Sequence, residues 1–304
     1  SKEEAVEEGQ RDEVIRFKNP NKKIKFNDLI RGDIEFDTTE LKDFVIAKSL
    51  DEPVYHLAVV VDDFEMGVTH IIRGDDGISN TPRQILIQEA IGAERPIYAH
   101  LPLMLDADKT KLSKRKHGEK VSVSFYRNTG YLPEAVVNFL AMIGWNPGTD
   151  QEIFDMGELV KTFDIKKVQK KGAIFNIEKL DWLNREYVLR SSKEEQISNF
   201  KYQISNTKWK DSEKIKDEIF MQKLLKIFLD RIHRWGEVGE IVGTGELDFL
   251  FEKPTLDQEK VFWKTQSKEG AKENLEKVLE ILDNKEKIMQ YAEKAGKGET
   301  LWPL

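Results

Sequence analysis

Residues 54 to 92 constrain the fold of this chain more than any other stretch. "VYHLAVVV" (54–61) is β-branched and aromatic and is closed by Asp62-Asp63, the pattern of a buried strand. "VTHII" (68–72) reads as a second strand ending at Arg73-Gly74. "SNTPRQILIQEAIG" (79–92) then reads as a helix, with Thr81 as N-cap, Pro82 at the first helical position and Gly92 just past the end. Strand, strand and helix in close succession predict an α/β layer. In such sheets ligands lie beyond the carboxyl ends of the strands, where Asp62, Asp63, Arg73, Asp75 and Asp76 are expected to gather.

The rest of the chain reads as helical. "LPEAVVNFLAMIGW" has Pro133 near its start and Gly144 at its stop, and Asn176 is placed to cap "IEKLDWLNREYVLR", where Leu180, Leu183 and Tyr187 share a face. Met221, Leu224, Leu225, Phe228 and Ile232 form one apolar stripe at helical spacing, and Leu275, Val278, Leu279 and Leu282 another; both read as core. No internal repeat or long low-complexity segment interrupts the chain. The Ser-, Lys- and Glu-rich stretch from 190 to 215 is the best candidate for a domain boundary.

Charge raises a separate question. The chain has 48 basic and 55 acidic residues, net -7, yet "DADKTKLSKRKHGEK" (106–120) crowds Lys109, Lys111, Lys114, Arg115, Lys116 and Lys120 around Ser113. A lone basic run is ordinarily a solvated loop; the sharper reading is a loop that binds phosphate. The acidic total argues against wholesale coating of nucleic acid but leaves room for a local basic surface. The absence of cysteine excludes disulfides and thiolate zinc sites, and the five histidines show no metal-ligand spacing. No apolar stretch reaches the length of a membrane span. The start, "SKEEAVEEGQ", has no apolar core and no initiating Met, which predicts the cut end of a longer chain rather than a signal peptide. A cytoplasmic location fits these features.

The sequence "YHLAVVVDDFEMGVTHIIRGDDGISNTPRQILIQEAIG", then "YAHLPLM", "KLSKR" and "GYLPEAVVNFLAMIGW", resembles the bacterial-type glutamyl-tRNA synthetases, class I aminoacyl-tRNA synthetases. The resemblance runs from about Val14 to the last residue. It implies an α/β plus all-α architecture: the end of an acceptor-binding insertion at 1–50, the second half of a Rossmann-type catalytic domain at 51–104, the signature loop and stem-contact region at 105–190, and a helical anticodon-binding region at 191–304. The family's His-Ile-Gly-His motif would lie ahead of Ser1 and its last helices beyond Leu304, so the piece alone is expected not to make glutamyl-adenylate.

The resemblance further implies ATP, taken with Mg2+ and with no metal site within this piece, together with L-glutamate and tRNA(Glu) as partners, a monomer, and no membrane. Lys111 and Lys114 would be the catalytic lysines. Asp76, Lys111, Leu112, Ser113, Lys114 and Arg115 would meet ATP, and Tyr55 and Arg73 would hold glutamate. The chemistry agrees. A mobile lysine loop can neutralise charge that develops on the phosphates, and the arginine fork pairs bidentately with a carboxylate. The plainer alternatives are a packed strand aromatic at Tyr55 and an ion pair of Arg73 with Asp75 or Asp76. Asp62 and Asp63 read as fixing the loop between the strands. Two positions depart from the family: Gly77 stands where a His or aromatic is usual, and Val54 where Thr is frequent before the Tyr. Competing readings are a glutaminyl-tRNA synthetase relative, which would carry β-barrel anticodon domains, a short paralogue that glutamylates a queuosine base and lacks an anticodon domain, and a non-catalytic tRNA-binding module.

Overall fold

The computed structural model describes residues 14–252 and 267–280. The chain opens with strands β1 (Ile15–Phe17), β2 (Lys23–Asp28), β3 (Gly32–Asp37), β4 (Phe44–Ser49) and β5 (Glu52–Pro53), followed by helix α1 (Tyr55–Glu65). Strand β6 (His70–Gly74), a 3-10 turn (Asp75–Asn80), helix α2 (Thr81–Ile91) and strand β7 (Ile97–Leu101) complete the layer that matters for the site.

These elements build a four-stranded sheet in the order β3-β2-β7-β6. β2 and β3 run antiparallel, whereas β7 is parallel to both β2 and β6. Arg73 on β6 is registered with His100 on β7. Side chains of β2 alternate between exposed and buried, so Ile24, Phe26 and Asp28 share the covered face. Three consecutive residues of β7, Tyr98 to His100, are buried, as expected for a central strand covered on both sides. A separate antiparallel sheet has the order β1-β4-β5. Ile24, Phe26, Phe44, Val60, Ile85, Leu86, Ile87 and Tyr98 pack into one core beneath α1 and α2.

The segment 54–61 is not a strand. Pro53 and an extended Val54 precede a helix that runs from Tyr55 to Glu65. Its β-branched valines favour a strand locally by only a few tenths of a kcal/mol each. Leu57, Val60 and Val61 recur at i, i+3 and i+4, and packing of Leu57, Val59 and Val60 onto the core overrides that preference. Asp62 and Asp63 therefore lie in the last turn of α1 and not at a strand end. Helix α2 begins at Thr81 itself, with Asn80 at the cap position and Pro82 one residue further in.

Beyond β7 come β8 (Met104–Leu105), α3 (Lys114–His117), α4 (Val123–Asn128), α5 (Pro133–Met142), α6 (Met156–Thr162), β9 (Ala173–Ile174) and α7 (Ile177–Arg190). β8 pairs in parallel with β9. Asn176 caps α7 by accepting from the Lys179 N–H, and Tyr131, Phe139, Leu180 and Leu183 form the core beneath it. The chain then continues through α8 (Lys193–Ile204), α9 (Glu218–Leu229), α10 (Glu237–Thr244) and α11 (Lys268–Glu280). Two compact units result, Ser1–Ile204 with Gln222–Val238, and Ser205–Met221 with Gly239–Leu304.

Among the described residues after 191 there is no strand. Met221, Leu224, Leu225, Phe228 and Ile232 are all buried, and Phe228 meets Phe200 with ring centroids 5.2 Å apart. The second stripe differs. Leu279 is 67% exposed and Leu275 is half-buried, so the core reading fails at Leu279; the Val278 side chain and Leu282 lie outside the described residues. In the second unit Trp209 stacks on Phe251 at 4.1 Å.

Ile85 is fully buried between α2 and the sheet. Ile85→Ala is therefore expected to destabilise the protein by roughly 2–5 kcal/mol in a denaturant titration, through lost burial plus the cavity left behind. A loss below about 1 kcal/mol would show that this core is not packed as described.

Candidate active site

At the carboxyl ends of β6 and β7 the chain concentrates charge. Arg73, the fourth residue of β6, does not pair with Asp75 or Asp76. Asp75 instead holds Arg31 at 3.0 Å, and Asp76 holds Lys111 at 2.8 Å. Arg73 donates from Nε to His100 Nε2 at 3.1 Å and from Nη2 to Thr81 Oγ1 at 2.8 Å. This explains why Thr81 does not cap its helix: its hydroxyl serves Arg73.

Behind Arg73 lies a closed polar pair. His100 is fully buried and its Nδ1 sits 2.6 Å from Asp28 Oδ2. Asp28, 1% exposed, also accepts from the backbone N–H of Ile30, Arg31 and His100. Burial alone would raise the Asp28 carboxyl, but those hydrogen bonds outweigh it and hold the group below its ordinary value. Burial pushes His100 below the ordinary histidine value, against the pull of Asp28 and with help from Arg73. The pair is thus a carboxylate facing a neutral imidazole, with the proton on Nδ1 and the lone pair of Nε2 turned to Arg73.

The basic loop is folded rather than loose. Asp106 N–H donates to Thr110 O, Lys109 takes a φ of 63°, and Asp108 accepts from both the Thr110 amide and hydroxyl. Lys116 reaches Asp108 at 2.6 Å, and His117 reaches Asp106 at 3.0 Å from the other end. Leu112 is anchored through its amide to Met104 O, and the half-buried Ser113 precedes α3 without a side-chain capping bond. Lys111 is the residue that leaves the loop to meet Asp76, and its ammonium lowers the Asp76 carboxyl. Lys109, Lys114, Arg115 and Lys120 have no acidic partner within ion-pair distance among the described residues.

Tyr55 stands in the first turn of α1, 60% exposed, with its ring edge-on to His56 at 5.5 Å. It is not a packed strand aromatic. The structure therefore brings Asp76 and Lys111 together and sets Arg73 on β6, three residues ahead of Asp76. It leaves Lys114 and Arg115 exposed on α3. The sequence does not single out Asp28 or His100 as site residues; the signal available is a carboxylate in the buried register of "KIKFND".

A mixed sheet whose parallel strands β6 and β7 end beside an arginine fork, an acidic 3-10 turn and a lysine loop places the chain among the α/β proteins. The family model for class I tRNA synthetases (E and Q), catalytic domain, matches residues 1–182, and the chain belongs to that family. It is 51% identical over 191 residues to a glutamate–tRNA ligase of Carboxydothermus hydrogenoformans, covering 62% of this chain and 39% of that protein. Glutamate–tRNA ligase 1 of Caldanaerobacter subterraneus is 37% identical over 290 residues, 95% of this chain and 58% of the relative. A crystal structure of a glutamate tRNA ligase from Elizabethkingia meningosepticum in complex with its amino acid superposes with a TM-score of 0.76 at 33% identity, over 95% of this chain and 61% of that one. The chain thus spans less than two thirds of the length of each of these relatives.

The half-buried His56 and the buried His100 give a pH prediction. Burial holds both His56 and His100 below the ordinary value of 6.5. Near that value the unfolded chain binds more protons than the folded one, so stability is present above it and is lost as pH falls through it. Thermal melts taken from about pH 7.5 down to about pH 5 should show falling stability, and His100→Gln should flatten the slope whatever its effect at neutral pH. An unchanged slope in the variant would contradict a neutral, buried His100.

Proposed function

We propose that the intact protein is a glutamate–tRNA ligase. It joins glutamate to ATP, forming glutamyl-adenylate and releasing pyrophosphate, then passes the acyl group to the 3′ end of tRNA(Glu). The observation that carries this reading is the Lys111–Asp76 pair, which draws the basic loop to the carboxyl edge of the sheet beside Arg73. The names of the relatives and the family model agree with it.

In this reading Arg73 and Tyr55 receive glutamate, and Asp76 lies on the ATP side. Leu112 and Ser113 fix the loop backbone, while Lys111, Lys114 and Arg115 close over the phosphates as the carboxylate attacks. ATP arrives as its Mg2+ complex, which the residues of this chain need not ligate. Neutralising charge as it develops lowers the barrier more than it tightens ground-state binding. The helices after 191, with no strand among their described residues, support a glutamyl rather than a glutaminyl relative. The exposed cations of 109–120 and those of 166–171 and 208–216 are proposed to face tRNA. Lys170, Lys208, Lys214 and Lys216 are already engaged within the protein, held by Arg31 O, Asp248, Leu250 O and Glu213 respectively.

Glutamate-dependent ATP–pyrophosphate exchange by the intact protein tests the assignment. Lys114→Ala is expected to lower turnover by roughly 100-fold with little change in the KM for glutamate. A variant as active as the parent would remove the loop from the chemistry. Binding of tRNA should weaken steeply between about 50 and about 200 mM salt, as counterion release requires. Salt-independent binding would exclude the lysines as the contact surface.

A further inference from the structure

The arginine fork has two edges that can grip a carboxylate: the side-on edge of Nε and Nη2, and the end-on edge of Nη1 and Nη2. In this protein the side-on edge is filled by His100 Nε2 and Thr81 Oγ1, themselves 3.3 Å apart. The end-on edge has no partner among the described residues. Which edge stays open depends on the imidazole. His100 accepts from Arg73 only while its proton sits on Nδ1, and Asp28 Oδ2 at 2.6 Å keeps it there. The opposite tautomer, or the imidazolium, would set an N–H against the Arg73 Nε–H.

We propose that the buried pair Asp28–His100 is a positioning device for Arg73, closing its side-on edge and presenting its end-on edge to a carboxylate of glutamate. This rests on the proposal that Arg73 binds the amino acid. Gly77 completes the device. A Cβ built there would lie 2.6 Å from Arg73 Nε and 2.7 Å from its Cδ, so the missing side chain leaves the space that the arginine needs to lie back on His100. Asp28 and His100 are positioning residues; neither is argued to touch substrate.

Steady-state exchange kinetics on the intact protein, with thermal melts of each variant, test the proposal. His100→Ala should raise the KM for glutamate about tenfold to a hundredfold, the loss of one hydrogen bond to a charged group, and leave the KM for ATP unmoved. His100→Gln keeps an acceptor near the Nε2 position and should recover most of that loss. Gly77→Ala displaces Arg73 without touching the buried pair and should also raise the glutamate KM. In an Arg73→Ala background His100→Ala should add no more than about twofold, because its effect acts through the arginine. If His100→Ala and Gly77→Ala leave the glutamate KM unchanged while Arg73→Ala raises it, or if the His100 and Arg73 effects multiply, the positioning role is wrong and the binding role of Arg73 survives. If Arg73→Ala itself leaves the glutamate KM unchanged, the ligand assigned to Arg73 is wrong and the positioning role falls with it.

Discussion

One buried carboxylate, Asp28, holds the working end of the sheet together. It ends β2, accepts from the amides of Ile30 and Arg31 in the turn toward β3, and crosses to β7 to accept from the amide and ring of His100. An ionised group out of water is expensive unless its lone pairs are filled, and here the donors converge from a second strand and a turn. Removing the imidazole takes a donor from a buried carboxylate, a loss of about 1–3 kcal/mol or more. The same contacts fix the imidazole, and the β6–β7 register sets Arg73 across from it. The site is thus an outgrowth of how the sheet is closed.

The basic loop follows a different physical logic. Its internal bonds, Lys116 to Asp108 and His117 to Asp106, give it shape, while Lys111 ties it to the sheet. The Lys111–Asp76 pair is about half exposed on both sides. Pairs of this kind contribute about 0–1 kcal/mol, so a ligand with several negative oxygens can displace Asp76 from the lysine at little cost. In the proposed function, a loop shaped by its own carboxylates and docked by a weak ion pair would exchange that pair for phosphate. An acidic chain therefore loses nothing by gathering its cations here, since the acids that surround them determine the resting shape.

Much of this was legible in the residues. Arg73 does close a parallel strand with Asp75 and Asp76 just past its end, Asn176 does cap its helix, and the stripe from Met221 to Ile232 is core. The clearest misreading is at 54–61, where a β-branched run looks like a strand but the spacing of Leu57, Val60 and Val61, with the packing of Leu57, Val59 and Val60, makes a helix. That change moves Tyr55 from a pleated surface to an exposed first turn. The Asp28–His100 contact joins residues 72 positions apart, so no local window contains it. The one local trace is the alternation of "KIKFND", which puts a carboxylate where Ile24 and Phe26 point. Thr81 was legible as a helix-start residue and not as an acceptor for Arg73, because capping is a local pattern and that bond is tertiary.

The protonation of His100 is where the account is most exposed to measurement. Side-chain 15N resonances of the imidazole, recorded at about pH 7.5 on the intact protein, distinguish the two neutral tautomers and the imidazolium. A neutral ring with the proton on Nδ1 and a bare Nε2 is expected, with the proton shifting toward Nε2 when Asp28→Asn removes the carboxylate. A wild-type ring protonated on Nε2, or charged at that pH, would contradict it, because neither form can accept the Arg73 hydrogen bond on which the open edge of the fork depends.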